Sequence, residues 1–170
     1  MPHPLVLQLR FARSEFQRGL EGVTEEEACK RFLPMNCISW NVGHLAWHEQ
    51  RYWLYHMQGK VLVPRLNELV AYGKPATTPS LAEMGEAWRT VTSAADEFLD
   101  QLTTAGLQKP YIYEGKPSPY SIGSRLQRVL YHYWYHTGEN AAIRQMLGDT
   151  NLPEFVGDIE ELAPYRPESA

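Results

Sequence analysis

The sequence contains nothing approaching the roughly 18 to 20 consecutive apolar residues of a membrane-spanning helix, so membrane insertion is not expected. Its opening, MPHPLVLQLRFARSEF, has no basic start followed by a continuous apolar segment, so export is not expected either, and the expected compartment is the cytoplasm. Cysteine is scarce. Cys29 and Cys37 are the only two, eight positions apart and outside any CxxC pair, which excludes a zinc knuckle and a disulfide framework. They read as reduced thiols packed as small apolar residues. Basic charge is in deficit: 16 Lys and Arg against 20 Asp and Glu leave a net charge of −4, with the basic residues scattered among acids and aromatics. That distribution has no general attraction for nucleic acid. Neither a glycine-rich phosphate loop nor an assignable Ser-His-Asp set is visible.

What is present is an ordinary globular composition, 44% apolar and 21% charged over 170 residues, which is enough for one buried core. The expected organisation is a helical bundle over residues 1–150 and a proline-containing, acidic tail over 151–170 that packs on the same domain or frays. The first of four main helices runs from about Pro4 to Leu20, with Leu5, Leu9, Ala12, Phe16 and Leu20 on one side and Gly22 after it. A short helical turn follows Thr24, which forms a capping pattern with Glu27. Glu25, Glu26 and Glu27 suit the positive end of that turn.

The second long helix, CISWNVGHLAWHEQRYWLYHMQ, is capped by Asn36, carries apolar residues on most sides and stops near Gly59. The third opens with a Ser80/Glu83 capping box and spaces Leu81, Met84, Trp88, Val91, Ala95 and Phe98 along one face. The fourth, from about Ser121 to Leu147, aligns Ile122, Leu126, Val129, Tyr133, His136, Asn140, Ile143 and Leu147, and ends at Gly148. The connection between the second and third helices contains Pro64, Pro75 and Pro79 and is long enough to return along the bundle, so these two helices are expected to run parallel. The connection from Thr104 to Tyr120 is also long, and its YIYEG forms either a short extended piece or a loop.

Six histidines are present, and four of them form two HxxxH pairs: His44 with His48 on the second helix, and His132 with His136 on the fourth. A spacing of four puts two imidazoles on adjacent turns of one helix face, where both can reach a single ion. One such pair is compatible with simple packing. Two pairs on helices of one bundle point to a metal site in its core. His136 lies in the apolar stripe and His132 at its edge, whereas periodicity does not choose between His44 and His48. His3 and His56 are set aside as ligands, being near the terminus and near a helix end.

The segments Ile38-Ser39-Trp40-Asn41-Val42-Gly43-His44-Leu45-Ala46 and His132-Tyr133-Trp134-Tyr135-His136-Thr137-Gly138-Glu139, the latter continuing to Arg144 and Leu147-Gly148, resemble the DinB/YfiT-like family of metalloproteins, which includes thiol-dependent transferases and isomerases. The resemblance covers most of the chain. It implies an all-α four-helix bundle of up-down-down-up topology and a histidine triad at His44, His132 and His136. His48 has no assured counterpart. Thr137 and Glu139 stand where arginine and glutamine are usual, which leaves the ligands in place but gives no ground for carrying over the family's substrate specificity. Glu139 can orient an imidazole, add an oxygen ligand, or be an ordinary surface carboxylate, and His48 is a candidate for the shell behind the ligands.

Three imidazoles leave coordination positions open, as in catalytic sites, and suit Zn²⁺, Ni²⁺ or Fe²⁺. The leading expectation is a divalent-metal enzyme that activates a small thiol, its cosubstrate, for transfer to a small electrophilic molecule, with metal-dependent hydrolysis as the chemical competitor. A noncatalytic metal-binding or sensing bundle and an interaction module with packed histidines are the readings from other classes. Trp40, Trp47, Tyr52, Trp53, Tyr133 and Trp134 either line a pocket around the site or fill the core. Their abundance also suggests a homodimer.

Overall fold

Residues 2–154 and 156–167 are described by a computed structural model of the chain. Of the expected tail, residues 155 and 168–170 lie outside the described residues. Four long helical segments carry the core: α1 (Pro4–Arg18), α3 (Ile38–Glu49), α5 (Leu81–Leu99) and α7 (Ile122–Leu147). Short helices α2 (Glu25–Cys29), α4 (Leu66–Leu69), α6 (Thr104–Leu107) and α8 (Ile159–Leu162) sit in the connections and the tail. Helix α3 packs chiefly on α5, α1 on α7, and α3 also touches α7. Among the described residues no helix is long and apolar enough to cross a membrane.

Several helices begin where a side chain satisfies the first free N–H groups. Pro4 opens α1, and the His3 ring accepts a hydrogen bond from the Leu5 N–H. Thr24 and Glu27 form the complete capping box of α2. Ser80 caps α5 by accepting from the Glu83 N–H, and Ser121 caps α7 by accepting from the Ser124 N–H. Gly148 ends α7 at φ 94°, a left-handed conformation that glycine adopts without steric cost.

Two features differ from expectation. The cap of α3 is Cys37, whose side chain makes no capping hydrogen bond, in place of Asn36. The second helix is not α-helical throughout: Gln50–His56 forms a π-helical segment, a wider turn often associated with functional sites. The Gln50 side chain ties this segment to the next connection, accepting from the Leu62 and Val63 N–H groups and donating to the Val63 carbonyl. Of the two forms expected for the YIYEG stretch, the extended one is found, in an antiparallel hairpin of β1 (Pro110–Tyr113) with β2 (Lys116–Ser121). Its two-residue turn, Glu114-Gly115, has positive φ at both positions (49° and 74°), as the twist of a tight hairpin requires.

All twelve residues of α3 are buried, which explains the absence of a polar stripe in its sequence. One polar network in this core joins the four long helices. Arg13 of α1 makes a bidentate ion pair with Glu49 of α3 and donates to Asp96 of α5 at 2.7 Å. Tyr133 of α7 donates to Glu49 at 2.5 Å and accepts from the Trp88 indole of α5 at 2.7 Å. Glu49 is wholly inaccessible to solvent, so its charge depends on these three donors.

Candidate metal centre

Where α3 meets α7 the two helices pass antiparallel, and their facing residues form a ladder of polar rungs. Asn41 donates to Asn140 at 2.8 Å. One turn along, the rings of His44 and His136 are 5.5 Å apart, and after another turn those of His48 and His132 are 4.3 Å apart. The last rung, Tyr52 with the guanidinium of Arg125, spans 5.6 Å. Steps of three, four and four residues from Asn41 to Tyr52, and of four, four and seven from Asn140 to Arg125, produce this ladder, since each returns to the same helix face.

One ligand nitrogen from each of His44, His132 and His136 lies within 4.8 Å of the others, an arrangement that can hold a metal ion. The Nε2 atoms of His132 and His136 face each other at 3.0 Å. On the far side of each ring, Nδ1 has its own partner. His44 Nδ1 lies 2.7 Å from the Val70 carbonyl, His132 Nδ1 lies 3.1 Å from His48 Nδ1, and His136 Nδ1 lies 2.7 Å from a Glu139 carboxylate oxygen. A carbonyl or carboxylate beside Nδ1 fixes the proton there, which leaves Nε2 with its lone pair.

Burial determines the charge of this cluster. It pushes the pKa of His44 down to about 4, reinforced by the nearby His136 ring. It pushes His132 down to about 3, with repulsion from His136, His44 and Arg128 adding to desolvation. His48 is held well below its ordinary value, again chiefly by burial, then by His132, His44, Arg128 and Arg51. These three rings are therefore neutral at pH 7, the state in which imidazole acts as a metal ligand.

The walls are aromatic. Trp40 stacks on His44 at 4.5 Å with the planes 13° apart, Trp47 also stacks on His44 at 5.3 Å, and Tyr52 lies 4.3 Å from His48. The other three aromatics considered for this pocket lie elsewhere: Trp53 packs on Phe98 in the core, Tyr133 belongs to the Glu49 network, and Trp134 faces Phe11. His3 is at the start of α1 beside Thr104, and His56 packs against Tyr111 and Tyr113 of the hairpin.

Sequence reasoning missed Val70, because a backbone carbonyl from a distant connection leaves no signature in residue type. It also missed three arginines near the histidines. Arg51 follows His48 by three residues, and Arg128 and Arg125 precede His132 by four and seven, spacings that were readable on a helix face. No curated protein matches the chain. The model of the DinB superfamily matches residues 8–139, a span that includes every histidine of the cluster and Glu139, and the chain therefore belongs to the DinB superfamily.

Proposed function

We propose that His44, His132 and His136 bind one divalent metal ion through Nε2, and that the protein is a metal-dependent enzyme acting on a small thiol and an electrophilic small molecule. The observation that carries this reading is the division of labour within the three rings: inward nitrogens are grouped, and each outward nitrogen has a separate partner. Purely packed histidines have no need of that grouping, and three imidazole nitrogen donors match Zn²⁺, Ni²⁺ or Fe²⁺. Bound there, such an ion supplies Lewis acidity, favouring the deprotonated form of a water or thiol at an open position.

The chain's own residues supply placement. Val70, His48 and Glu139 hold the three rings in orientation, while Trp40 and Trp47 shield His44 from solvent. Glu139 is occupied by His136, which favours an orienting role over direct ligation. Helices α1, α3, α5 and α7 are read as up-down-down-up, supported by the antiparallel ladder of α3 and α7 and the long connection before α5. Exposed Tyr131 and Tyr135, one turn apart on α7, support pairing into a homodimer, to be checked by sedimentation across micromolar concentrations.

The test is metal content of the purified protein followed by Co²⁺ substitution. A small thiol is expected to release a proton on binding and to add an intense near-ultraviolet charge-transfer band. His44→Ala, His132→Ala and His136→Ala are each expected to abolish stoichiometric binding in competition with a chelator. Equal affinity in these variants and in His3→Ala would remove the metal site. A spectrum altered by a small anion but by no thiol would favour hydrolysis, and one altered by neither would favour a closed, noncatalytic site.

A further inference from the structure

Beyond the His48–His132 rung, the ladder changes character from imidazole to guanidinium. Arg51 continues the His44/His48 face into the π-helical segment, and Arg125 and Arg128 continue the His132/His136 face toward the start of α7. None of the three has a carboxylate within ion-pairing distance among the described residues. Two are instead held by aromatic faces. The Arg51 guanidinium lies 5.4 Å from the Trp47 ring, which itself stacks on His44, and 5.8 Å from the Tyr113 ring. That of Arg125 lies 5.6, 5.2 and 4.7 Å from the rings of Tyr52, Tyr111 and Tyr120. Each is thus separated from a histidine of the cluster by one aromatic ring.

A second observation falls at the same place. Three buried polar atoms there have no hydrogen-bond partner: Arg125 Nε, the Tyr111 hydroxyl and His56 Nε2. The His56 and Tyr111 rings are 5.8 Å apart, and Tyr111 carries the Arg125 guanidinium on its face, so the three belong to one cluster. Buried polar groups are ordinarily paired, and an unpaired set beside guanidinium ions that have no carboxylate partner, Arg51 donating only to the Tyr113 hydroxyl at 3.4 Å, calls for an acceptor-rich, negatively charged ligand. A cleft of about 320 Å³ opens alongside, lined in part by Trp47, Gln50, Arg51, His56, Asn67 and Glu114. Glu114, at the hairpin turn, is the acidic group facing His56, and a single carboxylate does not balance three guanidinium ions.

We propose that this hairpin-side cluster is an oxyanion subsite, built by Arg51, Arg125 and Arg128 with the donors of Tyr111 and His56, and that a small molecule handled at the histidine cluster carries a carboxylate, phosphate or sulfonate that docks there. The assignment of that molecule rests on the proposed metal site, but the subsite stands on its own residues. Along α7, Arg128 and Arg125 are four and seven residues from His132, about 6 and 10.5 Å of helix rise. A substrate that reaches from the histidines to the arginines is therefore a short, extended anion.

The test compares 4-mercaptobutyrate with uncharged 4-mercapto-1-butanol on the Co²⁺-loaded protein, using the charge-transfer band to titrate each. The carboxylate is expected to bind at least about tenfold tighter, a preference that falls toward unity in Arg51→Ala and in Arg128→Ala and weakens with added salt. Equal dissociation constants for the two thiols would overturn the subsite while leaving the metal reading intact. If neither thiol gives a band, calorimetric titration of the metal-free protein with inorganic sulfate still decides the matter. Saturable binding lost in both arginine variants supports the subsite, and its absence in the unaltered protein overturns it. Arg128 is exposed, so its variant is expected to fold even if Arg51→Ala does not.

Discussion

Replacing Glu49 with alanine is expected to be the most costly single change near the site that touches no proposed ligand. Glu49 is inaccessible to solvent and receives Arg13 through two nitrogens and Tyr133 through its hydroxyl. Removing one partner of a buried ion pair commonly costs about 3 to 5 kcal/mol, because the surviving charge is left in a medium that solvates it poorly. Here the lower end applies, since Arg13 retains Asp96 at 2.7 Å and the Asp96 side chain is 35% exposed, so that some solvent reaches the guanidinium. The Tyr133 hydroxyl loses its acceptor but keeps the Trp88 indole as a donor. About 3 kcal/mol is a large share of the roughly 5 to 15 kcal/mol that holds a domain folded. With a urea slope near 2 kcal/mol per molar, the midpoint should fall by about 1.5 M. Asp96→Ala is the internal comparison and should cost about 1 kcal/mol, as an exposed pairing does. A Glu49→Ala loss below about 1 kcal/mol, or one equal to that of Asp96→Ala, would refute the idea that the network is dry and mutually dependent. Glu49 and Tyr133 directly follow His48 and His132 in sequence, so chelator competition on the same variant would also show how far this network fixes the spacing of the histidines.

His48→Ala and Glu139→Ala should weaken metal binding about 10- to 100-fold, less than any triad variant, because each removes an orienting partner and leaves the donors; chelator competition measures this, and losses as deep as His132→Ala would make either residue a ligand. Metal-free protein should be acid-labile: His44 and His132 are held below the ordinary 6.5, at about 4 and about 3, so the unfolded chain takes up their protons first. Stability is then fully present above about pH 6.5 and falls as pH drops toward 4, and urea midpoints that stay flat over that window would contradict it. Gly43→Ala should destabilise by about 1 to 3 kcal/mol, since the new methyl would overlap the Met84 sulfur and meet the Val70 side chain at 3.1 Å. It should also weaken metal binding by displacing the Val70 carbonyl that holds His44, and unchanged affinity in a folded variant would separate those two effects.

The parts of this molecule that were legible in its sequence are those set by local chemistry. Ser80, Ser121, Thr24 and Gly148 mark helix ends because side-chain oxygens and a left-handed glycine satisfy backbone groups within a few residues. The HxxxH spacings place imidazoles on one helix face for the same local reason, and the family resemblance linked the two faces. What could not be read was set by partners distant in sequence. The π-helical segment is tied down by Gln50 reaching a connection twelve and thirteen residues away, so the local periodicity of an α-helix continues through it unchanged. His44 and His48 are indistinguishable by pattern, both being buried on a helix without a polar side. Their difference lies across the interface: His44 gives Nδ1 to a carbonyl from the α4 connection and groups a ligand nitrogen with His132 and His136, whereas His48 spends its Nδ1 on His132. Identical residues four positions apart thus take different places in the cluster because their partners, rather than their own helix, determine which nitrogen each presents. The same reasoning extends to the arginines. On sequence they are scattered basic residues in an acidic chain, and only the crossing of α3 and α7 gathers them at one end of a row of histidines, where charge that is unremarkable on average becomes locally unbalanced.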